Sequence, residues 1–189
     1  HFVKELYVRN LQHLIIGEDY QNNITIFVPE DSGNDLFGLT RSGLLYHFTE
    51  SHIWLEEDFN RDGQQAKLYD SMFCSSNKRL GGQCQKLRIS KTSQTHKSGF
   101  QYLINGRYQL KQTEPYVVGN ALIYMVRGSL DLPGDLIPSI NPFYHCSKSL
   151  FFLQQLNLLE LKPNNKGYTI FLPCFDSWDF LDLNLNYLE

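Results

Sequence analysis

One stretch of sequence occurs twice in this chain. The segment ITIFVPEDS, residues 24–32, returns as YTIFLPCFD at residues 168–176, so that Thr25 matches Thr169. Repetition at a long, fixed spacing is typical of proteins built from arrayed modules. The sequence therefore predicts one complete unit followed by the beginning of a second.

Each copy follows a segment with helical periodicity. Apolar residues recur three to five positions apart over residues 2–16, and a similar pattern fills residues 147–161. The repeated stretch itself has the pattern of a strand that is buried on both faces, and Pro29 ends it because proline has no amide hydrogen for a ladder bond. We expect strands at 24–29 and 168–173.

The rest of the chain mixes helix and strand patterns. The other predicted elements are a mixed helix and strand segment at 43–59, strands within 67–89, a hairpin at 100–112, a strand at 121–130 and a helix at 176–185. Asn105-Gly106 marks the hairpin turn, since both residues tolerate positive φ. Together these patterns indicate the α+β class.

Charge and hydropathy exclude two classes of partner. The net charge is −3 and the pI is about 6.1, which provides no basic surface for nucleic acid. The apolar runs are much shorter than the roughly 20 residues that a membrane-spanning helix needs. Because the chain begins at His1, we expect it to be a segment of a longer protein, with any membrane anchor outside it.

The cysteines and one asparagine favour the secretory route. The four cysteines lack the Cys-x-x-Cys spacing of zinc sites, so no metal is predicted. Cys74 and Cys84 bracket a polar, glycine-containing loop and form one candidate disulfide, and Cys146 with Cys174 forms a second. The alternative is unrelated buried thiols in a reducing compartment. Asn23-Ile24-Thr25 is the only N-glycosylation acceptor motif in the sequence.

Three motifs in order resemble the fasciclin domain family. The matching positions are Thr25, Phe27, Pro29 and Asp31 in the first block, the pair Tyr46-His47, and residues 120–127 in the second block. Tyr124 and Arg127 stand where the family has histidine and aspartate, so this is a divergent member. The resemblance covers residues 1–138 and the beginning of a further copy.

The resemblance implies a fold, a domain organisation and a function. The fold is a fasciclin-type β-wedge of two sheets with packed α-helices, as one complete domain at 1–139 and the N-terminal part of a second at 140–189. The function is adhesion or protein interaction without catalysis or cofactor, in a secreted or membrane-anchored protein with several such domains. The partners are other proteins of the cell surface or lumen, including further copies of itself. The location is the extracellular space or the lumen of the secretory and vacuolar system.

The resemblance also points to binding residues. Tyr46 and His47 fall on a pair linked to partner binding in animal relatives, although a histidine between two aromatic residues is more often a buried ring with its hydrogen bonds made. Glu114, Pro115 and Tyr116 fall on another binding tetrapeptide, whose aspartate is missing here. Exposed parts of residues 50–63 and 74–98 are further candidates, because loops on a rigid scaffold often bind partners.

Two other functions were weighed against protein interaction. An enzyme needs a nucleophile with an oriented base, or opposed carboxylates, and no local pattern supplies either. His145 beside Cys146 points away from it, and His52 with Glu56 and Glu57 is typical of a solvated surface. A pocket for lipid or another small molecule leaves no linear trace, so a lumenal ligand-binding domain is the alternative function.

Overall fold

The computed structural model describes eight stretches of the chain. These are residues 1–15, 23–30, 39–60, 65–74, 84–93, 99–132, 146–158 and 170–174. The chain divides into two compact units, the first formed by residues 1–75 and 83–132, and the second by residues 76–82 and 133–189. The assignment of 1–139 and 140–189 to a complete and an incomplete fasciclin domain stays a prediction.

Unit 1 contains helices and strands that alternate as far as α3, followed by consecutive strands. Its helices are α1 (Phe2–Val8), α2 (Arg41–Leu45) and α3 (Leu55–Asn60), with a 3-10 turn at Gln12–Leu14. Its strands are β1 (Ile24–Pro29), β2 (Phe48–Thr49), β3 (Ala66–Cys74), β4 (Cys84–Ser93), β5 (Phe100–Ile104), β6 (Tyr108–Gln109), β7 (Tyr116–Val118) and β8 (Ala121–Val126). The mixed segment 43–59 and the strands within 67–89 are confirmed. The strand predicted at 121–130 is confirmed as β8, which ends at Val126.

The strands form two four-stranded sheets. Sheet A has the order β2-β1-β8-β7, with β1 and β8 parallel, and sheet B is the antiparallel series β3-β4-β5-β6. An isolated bridge between Leu110 and Val126 joins the two sheets, and the Lys111 amide donates to the Met125 carbonyl at 2.9 Å beside it. The predicted α+β fold with two sheets and packed helices is confirmed.

Strand β1 lies between two apolar clusters. Ile24 and Ile26 pack with α1 and α2 on one face of sheet A. Phe27 belongs to a second cluster, in which sheet A residues meet Leu87 and Ile104 of sheet B. Apolar side chains cover both faces of β1, which agrees with the predicted burial on both faces and with a sequence that is apolar except for Thr25.

The opening helix ends earlier than the predicted range 2–16. Asn10 takes a left-handed φ of 55°. The Leu11 amide then donates to the Leu6 carbonyl at 2.8 Å, a pattern that satisfies the last carbonyls of a helix. The turn points Leu11 into the core, where it is fully buried, and the 3-10 segment Gln12–Leu14 follows. A helical pattern alone does not show such a break.

The Asn105-Gly106 hairpin is confirmed. Asn105 and Gly106 have φ values of 53° and 70°, and β5 pairs with β6 on either side of them. Strands β3 and β4 form a second hairpin, in which Cys74 lies opposite Cys84 and is disulfide-bonded to it. The first predicted disulfide is therefore confirmed.

Unit 2 contains one of the two helices predicted near the end of the chain. Helix α4 (Ser147–Gln155) lies in the predicted range 147–161, and Cys146 is disulfide-bonded to Cys174. The predicted strand at 168–173 is wrong over its described residues, because Ile170–Cys174 forms no ladder. β1 is a strand because β2 and β8 pair with it, whereas no described strand pairs with this segment. The helix predicted at 176–185 lies outside the described residues.

Candidate functional site

The residues that follow α2 enter the core of unit 1. Thr40 is the N-cap of α2, and its hydroxyl accepts a hydrogen bond from the Gly43 amide at 3.1 Å. Gly43 and Leu44 are buried at this short helix, and the chain then leads directly into Tyr46 and His47. These two side chains are 1% and 0% exposed.

His47 links α2 to the segment after β8. Its Nδ1 lies 2.8 Å from the Gly43 carbonyl, and its Nε2 lies 3.0 Å from the Leu130 amide nitrogen. A carbonyl can only accept and an amide can only donate, so the neutral ring must carry its proton on Nδ1. Burial lowers the pKa of His47 to about 4, because an imidazolium would be desolvated here.

Tyr46 links α2 to sheet B in the same way. Its hydroxyl donates to the Lys86 carbonyl at 3.0 Å and accepts from the Asn105 side-chain amide at 3.0 Å. Burial raises the pKa of Tyr46, and the bond from Asn105 opposes this shift. The Tyr46-His47 pair thus connects one helix to both sheets. In this arrangement neither side chain reaches the surface. This geometry agrees with the interpretation of His47 as a buried ring with its hydrogen bonds made.

A different part of the predicted site lies on the surface. Glu114 is exposed, Pro115 is partly buried, and Tyr116 begins β7 at the edge of sheet A. The three residues of β7, Tyr116, Val117 and Val118, are 62%, 59% and 60% exposed. Such a run of exposed apolar side chains on an edge strand is characteristic of interaction surfaces.

Neither Val118 nor the edge position of β7 is among the features predicted from the sequence. Tyr116 stands in register with Ile123 and Val118 with Ala121, both in β8, and the described strands place nothing on the other side of β7. The sequence contains only a local signal for the strand β7. Three strand-forming residues lie between Pro115 and Gly119, which bound a short strand, although the sequence does not show that it is an edge.

Thr25 of the repeated stretch is buried, and its hydroxyl both donates and accepts a hydrogen bond. Its hydroxyl donates to the Ser51 carbonyl at 2.6 Å and accepts from the Ile53 amide at 3.0 Å. Asn23, two residues earlier, is exposed where the chain enters β1. The two ends of the glycosylation motif therefore have opposite environments in the folded protein.

Two described candidates for catalysis or metal binding, His52 and Cys146, have other partners. His52 Nε2 lies 2.6 Å from the Asn120 carbonyl and its ring meets the Trp54 ring edge-on. Cys146 is in a disulfide, and His145 lies outside the described residues. Within the described ranges, no group of three or more histidine, cysteine and acidic residues could hold a metal ion.

Two further surfaces bear on function. The loop candidates at 50–63 and 74–98 lie partly outside the described residues. An open cleft of about 520 Å³ lies beside α1 and the end of β1, and Phe2, Val28 and Met125 are among the residues that line it. In the described part of the chain, no helix is long and apolar enough to cross a membrane.

Comparisons with known proteins show similarity to a yeast protein and to a solved insect structure. The chain is 51% identical over 194 aligned residues to the FAS1 domain-containing protein YLR001C of Saccharomyces cerevisiae, and the match covers 100% of this chain and 21% of that protein. The chain thus spans about a fifth of that relative's length. A FAS1 domain pair from the insect cell adhesion molecule fasciclin I is similar with a TM-score of 0.47 and 11% identity, over 86% of this chain and 55% of that one. No family model matches the chain.

Proposed function

The chain belongs to the fasciclin (FAS1) domain family, and on that premise we propose that it is a non-enzymatic module that binds other proteins through the edge strand β7. The observation that carries this proposal is the exposure of all three β7 side chains, at 62%, 59% and 60%. An edge strand offers unpaired backbone groups, and apolar side chains beside them offer surface to bury.

The β7 edge can supply a useful part of a binding free energy. Fully burying a valine or a tyrosine contributes roughly 1.5–3 kcal/mol, so the exposed parts of the three side chains contribute about 1 kcal/mol or more each. Backbone hydrogen bonds to an added strand would give the direction of docking. We propose an extended segment of another protein as the occupant, with Glu114 and Pro115 at the entrance to this edge.

The proposed setting is the extracellular space or a lumen of the secretory and vacuolar system. Both disulfides support it, because disulfides persist in oxidising compartments. Within this proposal a membrane is reached only through an anchor outside the segment, and residues 140–189 belong to a further fasciclin domain. Adhesion is the specific kind of protein binding that we propose.

A charged edge should abolish binding. The double variant Tyr116→Lys/Val118→Lys places two ammonium groups on β7, and its fold should persist because both side chains are exposed. Binding partners would be captured from the native source with the full-length protein and quantified by mass spectrometry. We expect the variant to lose at least tenfold in the recovery of its partners, which corresponds to about 1.4 kcal/mol.

The matched control is Leu68→Lys in β3. Leu68 is 65% exposed and also lies on an edge strand, but in sheet B. This variant should capture the same partners as the unmodified protein. Equal capture by the β7 variant would refute the proposed surface. Sedimentation of the purified protein tests binding between copies, which should disappear in the β7 variant and persist in the Leu68 variant.

The cleft beside α1 supports a second candidate function, the binding of a lipid or another small molecule. Its walls include the apolar side chains of Phe2, Val28 and Met125. A thermal-shift screen against lipids should raise the melting temperature only if this second function is present. Met125→Glu would then remove the shift.

A further inference from the structure

The motif Asn23-Ile24-Thr25 has no part in the proposed binding surface. We propose that Asn23 carries an N-linked glycan and that the glycan is attached before unit 1 folds. The two parts of this inference rest on two different side chains. Asn23 decides where the glycan lies, and Thr25 decides when it can be attached.

The folded protein has room for a glycan at Asn23. This residue is exposed and precedes β1, whose first residue donates from the Ile24 amide to the Asn120 carbonyl at 3.2 Å. The neighbouring residues at this end of sheet A, Ser51, Gly119 and Asn120, are exposed as well. A large polar substituent on the Asn23 side chain therefore extends into solvent without displacing any of the core.

Thr25 prevents the folded chain from serving as an acceptor. The motif is defined by an asparagine and a hydroxyl two positions later, so the modifying enzyme must reach both groups. In the folded protein Thr25 is 0% exposed, and its hydroxyl is held between the Ser51 carbonyl and the Ile53 amide. Pairing of β1 between β2 and β8 also fixes the backbone of the motif. Only the unfolded chain presents both groups together.

The reaction needs one co-reactant, an oligosaccharide linked through a diphosphate to a lipid. The Asn23 side-chain nitrogen forms a bond to C1 of the first sugar, and the bond between C1 and the diphosphate oxygen breaks. The lipid diphosphate leaves with the bonding electrons, and the amide nitrogen loses one proton to a base. No oxidation or reduction occurs.

The site is tested by expressing the 189-residue chain in a eukaryotic secretory host and measuring its intact mass. Treatment with peptide N-glycosidase should remove a glycan mass and convert Asn23 to aspartate in the peptide map. Asn23→Gln should lose the mass shift while it keeps the buried Thr25. Thr25→Ser should keep the shift, because it retains the hydroxyl. An unmodified protein with no mass shift overturns the site.

The timing is tested in vitro with unglycosylated protein made in bacteria. One sample is folded with both disulfides formed, and the other is reduced, alkylated and unfolded. Each is given oligosaccharyltransferase-containing membranes and lipid-linked oligosaccharide. We expect modification of the unfolded sample and at least a tenfold loss for the folded one. Equal modification of both samples overturns the requirement for an unfolded chain.

The proposed glycosylation and the proposed binding function have one assumption in common, which is that the chain enters the secretory pathway. An unmodified β7 edge can bind partners whether or not Asn23 is glycosylated, and capture by Asn23→Gln measures this directly. Failure of one proposal is therefore distinguishable from failure of the other.

Discussion

Three buried polar side chains of unit 1 have hydrogen-bond partners far along the chain. His47 bonds to Leu130, Tyr46 to Lys86 and Asn105, and Thr25 to Ser51 and Ile53. A buried polar group without a partner costs about 1–3 kcal/mol, so each of these bonds requires its neighbours to be placed correctly. These residues act as positional constraints on the fold.

The buried imidazole should make the stability of unit 1 depend on pH. The pKa of His47 is lowered to about 4, from the ordinary 6.5. Between these values the unfolded chain binds more protons, so stability is fully present above about pH 6.5 and is lost as the pH falls towards 4. The loss attributable to His47 is on the order of 3 kcal/mol.

His47→Gln isolates this contribution. Glutamine can accept the Leu130 amide bond without titrating, and all carboxylates and other histidines stay the same. Urea unfolding near pH 7 and near pH 4.5 should show a larger loss of stability for the unmodified chain than for the variant. An identical loss in both proteins would contradict the assignment of this pH dependence to His47.

At the scale of elements, turns and strand ends determine how the sheets meet. The Asn105 side-chain oxygen accepts from the Arg88 amide at 3.0 Å, while its nitrogen donates to the Tyr46 hydroxyl. One turn residue thus supplies a left-handed backbone conformation and two side-chain bonds. The hairpin is thereby attached to the neighbouring strand and to the end of α2.

Substitutions of Asn105 separate these two roles. Asn105→Gly keeps the positive φ of 53° and loses both side-chain bonds, and we expect a cost of about 1 kcal/mol. Asn105→Ala loses the bonds and is also strained in this conformation, for roughly 1 kcal/mol more. Chemical denaturation of the three proteins gives both differences. If alanine proved as stable as glycine, backbone strain would have no part at this turn.

At the scale of the molecule, unit 1 is one cooperative body with two sheets. The cluster that contains Phe27 and Tyr124 of sheet A also contains Leu87 and Ile104 of sheet B. Phe27 stacks on Tyr124 with ring centroids 6.1 Å apart. A loss of packing at Phe27 should therefore destabilise both sheets.

Phe27→Leu tests this cooperativity. The smaller side chain leaves part of the shared core unfilled, and we expect unit 1 to lose about 1–2 kcal/mol. Hydrogen exchange should then accelerate equally in β1 and in β4, since both are protected by the same global unfolding. Exchange that accelerates in sheet A alone would show that the sheets open separately. Leu68→Ala, at an exposed position, should change stability by no more than about 0.5 kcal/mol.

The sequence by itself determined the local features of this protein. The alternation over 24–29 and Pro29 predicted β1, Asn105-Gly106 predicted a hairpin, and Cys74 with Cys84 predicted a bridge across a short loop. These signals are strong because each depends on residues close together in the chain. The motif order was also enough to identify the family.

Which of these local features are exposed and could bind a partner depends on the tertiary structure. Thr25 and His47 are buried in the interior of unit 1, and the strand order β2-β1-β8-β7 leaves β7 as the edge of sheet A. Residues 170–174 form no strand, although their sequence resembles that of β1. The physical reason is that exposure and strand pairing depend on contacts between distant segments, whereas periodicity reports only on neighbours.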